Sequence, residues 1–264
     1  MDRTALVTGA SSGIGKATAA ALVARGYRVI GTSRRPEAVT AAAGVELLPL
    51  DLEDEASVEA LAEAAGAVDV LVNNAGESQN GPFEELPGDA LRRLFQVNVL
   101  GPVRLAQLLL PGMRERRRGR VVMVGSMLAS FPLSYRSSYV ASKAALKGFS
   151  DGARHEYSPF GVWLTTVEPG SINTGISERR TKYLSDASPF RADFDRMLAA
   201  LDRNERAGAP AERVAATIVK AIEASRPRAH YAVGSNAALV FPLRRLLPTA
   251  LVEKATHRRH DLRR

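Results

Sequence analysis

Thr8-Gly9-Ala10-Ser11-Ser12-Gly13-Ile14-Gly15 joins an apolar run over residues 4–8 to an alanine-rich stretch over 16–25. The run reads as a strand and the stretch as a helix, so the octapeptide is a strand–turn–helix junction. Gly9 and Gly13 open backbone angles closed to other residues, and Gly15 lets helix and strand approach closely. A helix start also presents free N–H groups and a partial positive charge, which suits a diphosphate. A plain glycine-rich turn is the competing reading. The spacing G-x-x-x-G-x-G differs from the common dinucleotide fingerprint G-x-G-x-x-G.

Outward from this turn the pattern repeats. Apolar, β-branched runs over 28–32, 45–50, 68–72, 120–124, 162–167 and 229–233 alternate with helical stretches over 57–65, 89–113, 137–157 and 211–224. Near-continuous apolar strands between helices predict a parallel sheet covered on both faces. Right-handed crossovers make it doubly wound, with ligands beyond the carboxyl ends of the strands. The expected fold class is α/β: a Rossmann-like, seven-stranded parallel sheet in one domain over 1–240. Two segments break the alternation. Residues 171–204 carry Tyr183, Phe190, Phe194, Met197 and Leu198 and read as a substrate lid, since loops this long are usually functional or disordered. Residues 241–264 form a proline-punctuated basic tail.

Composition narrows the class. Hydrophobic residues make up 45% and charged residues 24%, which is ordinary for a globular protein with a full core. No apolar run has transmembrane length and no secretory leader is recognisable, so a cytoplasmic protein is expected. The absence of cysteine removes disulfides, thiolate metal sites and a cysteine nucleophile. The net charge of +8 is concentrated: residues 226–264 carry nine basic and two acidic residues, and 114–120 carry five arginines and one glutamate. No reader motif accompanies these clusters, so nucleic-acid binding is not expected. His155, His230, His257 and His260 show no spacing with carboxylates that suggests a metal, and the last two are expected to be solvated. Glu84-Glu85 and Glu53-Asp54-Glu55 read as helix-start or surface acids.

Tyr139-Val140-Ala141-Ser142-Lys143 sets a phenol and an ammonium four residues apart. On a helix this places both on one face, about 5–6 Å apart at Cβ. A nearby positive charge favours the phenolate. Working near neutral pH asks for a drop of roughly three units from a reference pKa of about 10, or ~4 kcal/mol. Alone, such a pair is more often an exposed pair on a solvated helix face. Together with Thr8–Gly15, Asn73-Asn74-Ala75-Gly76, Asn98, Ser126 and Pro169-Gly170, in this order along residues 3–233, it resembles the short-chain dehydrogenase/reductase family. Glu168-Pro169-Gly170 and Ala144-Ala145-Leu146-Lys147-Gly148-Phe149-Ser150-Asp151 resemble the branch that includes 17β-hydroxysteroid and retinol dehydrogenases.

The resemblance implies roles. Ser126, thirteen residues before Tyr139, would hydrogen-bond the substrate oxygen, and Tyr139 would pass the proton. Lys143 would lower the tyrosine pKa and hold the nicotinamide ribose. Asn98, a poor helix former inside a helix, would bend it and anchor a water on the proton path. Asp51-Leu52 would contact adenine, and Asn74, Ala75 and Gly76 would line the cofactor. Pro169, Gly170, Ile172 and Thr174 belong to a turn meeting the nicotinamide amide. An acid after the second strand would bind the NAD ribose, whereas arginine accommodates the NADP phosphate. The chain reads Ser33-Arg34-Arg35 there, with no acid in reach, so NADP(H) is expected over NAD(H).

Met127, Leu128, Phe131, Leu133 and Tyr135, with Tyr183, Phe190 and Phe194 across the cleft, predict an apolar pocket with few polar anchors. A ketone, aldehyde or secondary alcohol on a lipophilic body, steroid- or retinoid-like, fits best. The expected protein is an NADP(H)-dependent carbonyl–alcohol oxidoreductase; the alternative is a non-catalytic NADP-binding sensor or interaction protein. The helices at 89–113 and 137–157 resemble those that pair in family dimers and tetramers, so a homo-oligomer is expected. For the tail, packing on the domain or a neighbouring subunit is favoured over contact with an anionic membrane, since Pro242 and Pro248 interrupt one long amphipathic helix. The 114–120 run is expected to be solvated surface.

Overall fold

Successive residues of the central strands point to opposite faces, and both faces are apolar. In the computed structural model, which describes residues 3–175 and 179–262, the strands are β1 (Thr4–Val7), β2 (Arg28–Ser33), β3 (Val45–Pro49), β4 (Val70–Asn73), β5 (Gly119–Val124), β6 (Val162–Pro169) and β7 (His230–Val233). They form one seven-stranded sheet in the order β3-β2-β1-β4-β5-β6-β7, with every neighbouring pair parallel. The helices are α1 (Gly13–Val23), α2 (Glu55–Ala65), α3 (Gly88–Phe95), α4 (Gly101–Glu115), α5 (Ser137–Tyr157), α6 (Arg191–Arg206), α7 (Ala211–Glu223), α8 (Ala237–Leu246) and α9 (Thr249–Arg259). Leu6, Leu71 and Val121 pack against Val58, Leu105 and Leu146 of α2, α4 and α5. Ala5, Val7 and Val72 pack against Leu22, Val214 and Ile218 of α1 and α7. The sheet is thus covered on both faces, as an all-parallel sheet requires. Strand order reverses between β1 and β4, and a crevice opens there beyond the strand ends.

All seven expected strands are present, with ends moved by one or two residues. The helix expected over 89–113 is present over 88–115, with a π-helical turn, Gln96–Leu100, between α3 and α4. Asn98, in the middle of this turn, is fully buried and turned inward. Asp54, read as a helix-start or surface acid, takes the first of these places: it caps α2 by accepting from the Ala56 N–H at 3.0 Å.

The arginine run does more than face solvent. Arg116 donates to the Val68 carbonyl at 2.6 Å, Arg118 pairs with Asp69 at 2.9 Å, and Arg120 donates to the Ile222 and Ala224 carbonyls at 3.1 and 3.0 Å. These bonds tie the start of β4 and β5 to the end of α7. Burial pushes the Arg120 guanidinium down from its ordinary pKa.

The expected lid is partly helical. Residues 176–178 lie outside the described residues, Thr181–Lys182 pairs with Gln79–Asn80, and α6 follows. Phe194, Met197 and Leu201 of α6 bury themselves with Leu133 and Leu262 in a small separate core. The tail is two helices broken at Pro248, while Pro242 lies inside α8. The expected division at 240 therefore falls within a helix. The tail packs back: Leu262 and His260 are buried, Arg203 pairs with Asp261, and His257 shares a 2.8 Å hydrogen bond with Ser134. His260 was expected in solvent, yet burial holds its imidazole below the usual pKa. No helix among the described residues is long and apolar enough to cross a membrane.

Candidate functional site

A cleft of about 960 Å³ runs over the carboxyl ends of β1, β2, β4, β5 and β6. Its first half is the glycine turn. Gly9 and Gly13 have φ of +67° and +53°, values that other residues adopt only with strain. A Cβ on Gly15 would stand 2.2 Å from the Gly9 carbonyl oxygen and 2.5 Å from Asn74 Nδ2, so only glycine lets α1 start this close to β1 and β4. Thr8 is fully buried beneath the turn. Its hydroxyl accepts from the Asn74 and Ala75 N–H groups, both at 2.9 Å, and fixes the end of β4 against the end of β1. Thr8 and Gly15 therefore shape the cleft from below, whereas Gly9, Ser11, Ser12, Gly13 and Ile14 line it.

Ser33, Arg34 and Arg35, with Asp51 and Leu52, line the outer end of this half. Both arginines are exposed and neither has an ion-pair partner among the described residues. Asn74, Ala75 and Gly76 follow β4 along the wall. Pro169, Gly170, Ile172 and Thr174 lie opposite, where Thr174 closes on Gly13, 3.1 Å from where a Cβ there would sit. An open cradle of backbone N–H groups, a helix start and unpaired guanidinium groups fit a phosphorylated dinucleotide.

The inner half collects Ser126, Tyr139 and Lys143. α5 sets Tyr139 and Lys143 one turn apart, and both are buried, at 9% and 5% exposure. Lys143 Nζ donates to the Val124 carbonyl at 3.0 Å and lies 5.8 Å from the centre of the Tyr139 ring. Ser126 lies two residues past the end of β5 and caps the short turn Met127–Ala129, with its Oγ accepting from the Leu128 N–H at 3.2 Å. Asn98 does not line the cleft; it locks the floor beneath it. Its Nδ2 donates to the Glu77 carbonyl at 3.0 Å and to Ser142 Oγ at 3.1 Å, and its Oδ1 accepts from the Glu77 N–H at 2.8 Å. Ser142 in turn donates to the Tyr139 carbonyl at 2.8 Å, so the π-turn is bound to the helix that carries the tyrosine.

The expected apolar pocket is assembled differently. Met127, Leu128 and Phe131 line the cleft. Tyr135, Phe190 and Phe194 do not. Tyr135 adopts a positive φ of 65° and stacks edge-on against Phe190 and Phe194, with ring centres 6.3 and 5.8 Å away. This aromatic group holds α6 down; Tyr135 and Phe190 instead line a second hollow of about 300 Å³. Tyr183 is also turned away, its backbone pairing with Asn80 at 2.8 Å. In their place the tail supplies Val240, Leu243, Leu247, Leu251 and Val252. Phe131 meets Phe241 edge-on at 5.2 Å. The signal was present in the sequence: Leu251, Val252, Ala255 and Thr256 recur at helical spacing along one face of α9.

Arg136, Arg179 and Glu205 also line the cleft and were not anticipated. Arg179 donates to Ser12 Oγ at 3.0 Å, which links the segment after β6 to the glycine turn. Arg180, whose side chain is wholly buried, pairs with Asp202 at 2.8 Å and with Glu205. Burial pushes the Glu205 carboxyl up against the opposing pull of Arg180.

The short chain dehydrogenase family model matches residues 3–184. A 3-ketodihydrosphingosine reductase from Bacteroides thetaiotaomicron is 32% identical over 242 residues, covering 89% of each chain. Human retinol dehydrogenase 8 is 37% identical over 199 residues, covering 70% of this chain and 63% of its own. A crystal structure of a short-chain dehydrogenase from Streptomyces avermitilis superposes with a TM-score of 0.82 at 35% identity, covering 98% of this chain and 97% of that one. The chain therefore belongs to the short-chain dehydrogenase family and is an oxidoreductase acting on alcohol and carbonyl groups.

Proposed function

We propose that this enzyme uses NADP(H) to interconvert a carbonyl and an alcohol on a lipophilic substrate, with Tyr139 as general acid in one direction and general base in the other. One observation carries the reading: the glycine turn, the Arg34–Arg35 pair and the Ser126, Tyr139 and Lys143 side chains share a single unbroken cleft. The turn at Gly9–Gly13 would hold the diphosphate, Asp51 and Leu52 the adenine end, and Asn74–Gly76 with Thr174 the nicotinamide end. When bound, the cofactor supplies the hydride equivalent, and the protein supplies alignment and the proton.

The protein's own part begins at the substrate oxygen. Ser126 Oγ donates a hydrogen bond to it, and the Tyr139 hydroxyl delivers the proton in reduction or removes it in oxidation. The Lys143 ammonium, held by the Val124 carbonyl, provides the positive charge beside the phenolate. Asn98 keeps the α3–α4 junction against α5, so that tyrosine and lysine stay in one geometry. Met127, Leu128, Phe131 and the leucines of α8 and α9 offer an apolar wall to an apolar body. The substrates in the relatives' names, 3-ketodihydrosphingosine and retinol, are themselves largely apolar. A panel of long-chain, steroid-like and retinoid-like ketones, aldehydes and alcohols, assayed with both nicotinamide cofactors in both directions, tests the reading. Turnover of small polar carbonyls with no preference for apolar ones would overturn the substrate class.

Cofactor choice has a separate test. Arg34→Ala and Arg35→Ala, singly and together, should raise the Kd for NADPH by about tenfold per lost phosphate contact while leaving NADH binding nearly unchanged. Equal weakening of both cofactors, measured by fluorescence titration, would refute a role at the 2′-phosphate.

A further inference from the structure

Arg136 stands three residues before Tyr139, at the turn that opens α5, and is only 3% exposed. Its guanidinium carbon lies 4.3 Å from the centre of the Tyr139 ring, nearer than the Lys143 ammonium at 5.8 Å. One terminal nitrogen donates to Ser78 Oγ at 3.0 Å. The buried Nε has no hydrogen-bond partner, and no ion pair joins Arg136 to a carboxylate among the described residues. A buried cation without a counter-ion carries a desolvation penalty that only a compensating charge offsets. Among the described residues, the Tyr139 phenol is the group whose ring lies against its face, and it acts on Arg136 ahead of the Glu205 carboxylate.

We propose that Arg136 is a second cationic partner of Tyr139, which stabilises its phenolate alongside Lys143 and so sets the pH at which the tyrosine exchanges its proton. This rests on the reading of Tyr139 as the acid–base group. The physics is direct. A phenolate spreads its charge into the ring, so a guanidinium over the ring face favours it much more than the neutral phenol. Burial pushes Arg136 down to about 10, which leaves it protonated through the neutral range.

The other charged groups around the cleft do not replace this effect. Glu205 on α6 attracts Arg136, but its carboxylate is bonded to Arg180, which also holds Asp202. Glu77, after β4, is paired with Arg93 at 2.6 Å. His260, after α9, is kept toward its neutral form by burial. Among the described residues, Arg136 and Lys143 are the cations that lie over the Tyr139 ring.

The experiment is the pH profile of alcohol oxidation in Arg136→Met, Arg136→Gln and Arg136→Lys, with Tyr139→Phe measured alongside. In the two neutral variants the midpoint of the rise of kcat with pH should move up by about one unit or more. That corresponds to about a tenfold loss at neutral pH, recovered in alkali. Arg136→Lys should return the midpoint most of the way, and cofactor Kd should be unchanged in all three. Having two neutral variants keeps the test decisive if Arg136→Met does not fold. A uniform loss at every pH, with the midpoint unmoved, would overturn the assignment and leave Arg136 a packing residue. Turnover surviving in Tyr139→Phe would instead defeat the reading of Tyr139 itself, so the two failures are distinguishable.

Discussion

Tyr139→Phe is expected to lower turnover by about a hundred- to ten-thousandfold, the usual contribution of a positioned acid–base group, while NADPH binding is retained. The substitution is a clean one for physical reasons. The ring is buried at 9% exposure, with the Arg136 guanidinium 4.3 Å and the Lys143 ammonium 5.8 Å from its centre. Phenylalanine keeps the ring, and with it most of that packing. The backbone carbonyl that accepts from Ser142 is also kept. Only the hydroxyl is lost, together with the proton it carries. Steady-state kinetics beside a cofactor-binding titration decide the matter: unchanged turnover with intact binding would remove Tyr139 from the chemistry.

Gly15→Ala should damage the protein more than its size suggests. The new methyl would lie 2.2 Å from the Gly9 carbonyl oxygen and 2.5 Å from Asn74 Nδ2, and the first of these is backbone that no side-chain rotation can move. Either α1 retreats from the sheet or the Gly9 turn opens. Overpacking of this kind costs ~1–3 kcal/mol, and more where backbone must shift. Because the displaced atoms form the cradle, the expected signature is double: a lower Tm, and no further rise of Tm when NADPH is added. A variant with wild-type Tm that is still stabilised by NADPH would show that the turn tolerates the shift.

Much of the fold was legible because its signals are local. The strand–turn–helix at Thr8–Gly15 and the apolar runs under it depend on a few neighbouring residues. Boundaries shifted only where pairing, not propensity, ends a strand. The inner site was legible for the same reason: Ser126, Tyr139 and Lys143 hang on two adjacent elements. What sequence reading missed depends on contacts distant along the chain. Tyr135, Phe190 and Phe194 have the composition of a pocket, but their rings satisfy one another first. The apolar wall comes from α8 and α9, more than a hundred residues after Phe131, and Pro242 concealed α8 because a proline inside a helix reads as a break. Arg136 was passed over because nothing local marks a charged residue as buried; its place follows from Ser78 and Tyr139 closing around it.

The π-turn at Gln96–Leu100 has a consequence for how this stretch tolerates change in length. A π-turn is an α-helix with one residue inserted, so the flanking turns keep their pitch around a local bulge. Deleting one residue between 96 and 100 would leave a shorter, regular rod that still presents apolar side chains such as Leu94 and Leu105 to the interior. A deletion elsewhere in the stretch would rotate one half against the other and expose that surface. The bulge is therefore the place where this helix can lose a residue and keep its shape, and at its centre stands the inward-facing asparagine that ties the floor of the cleft to the tyrosine.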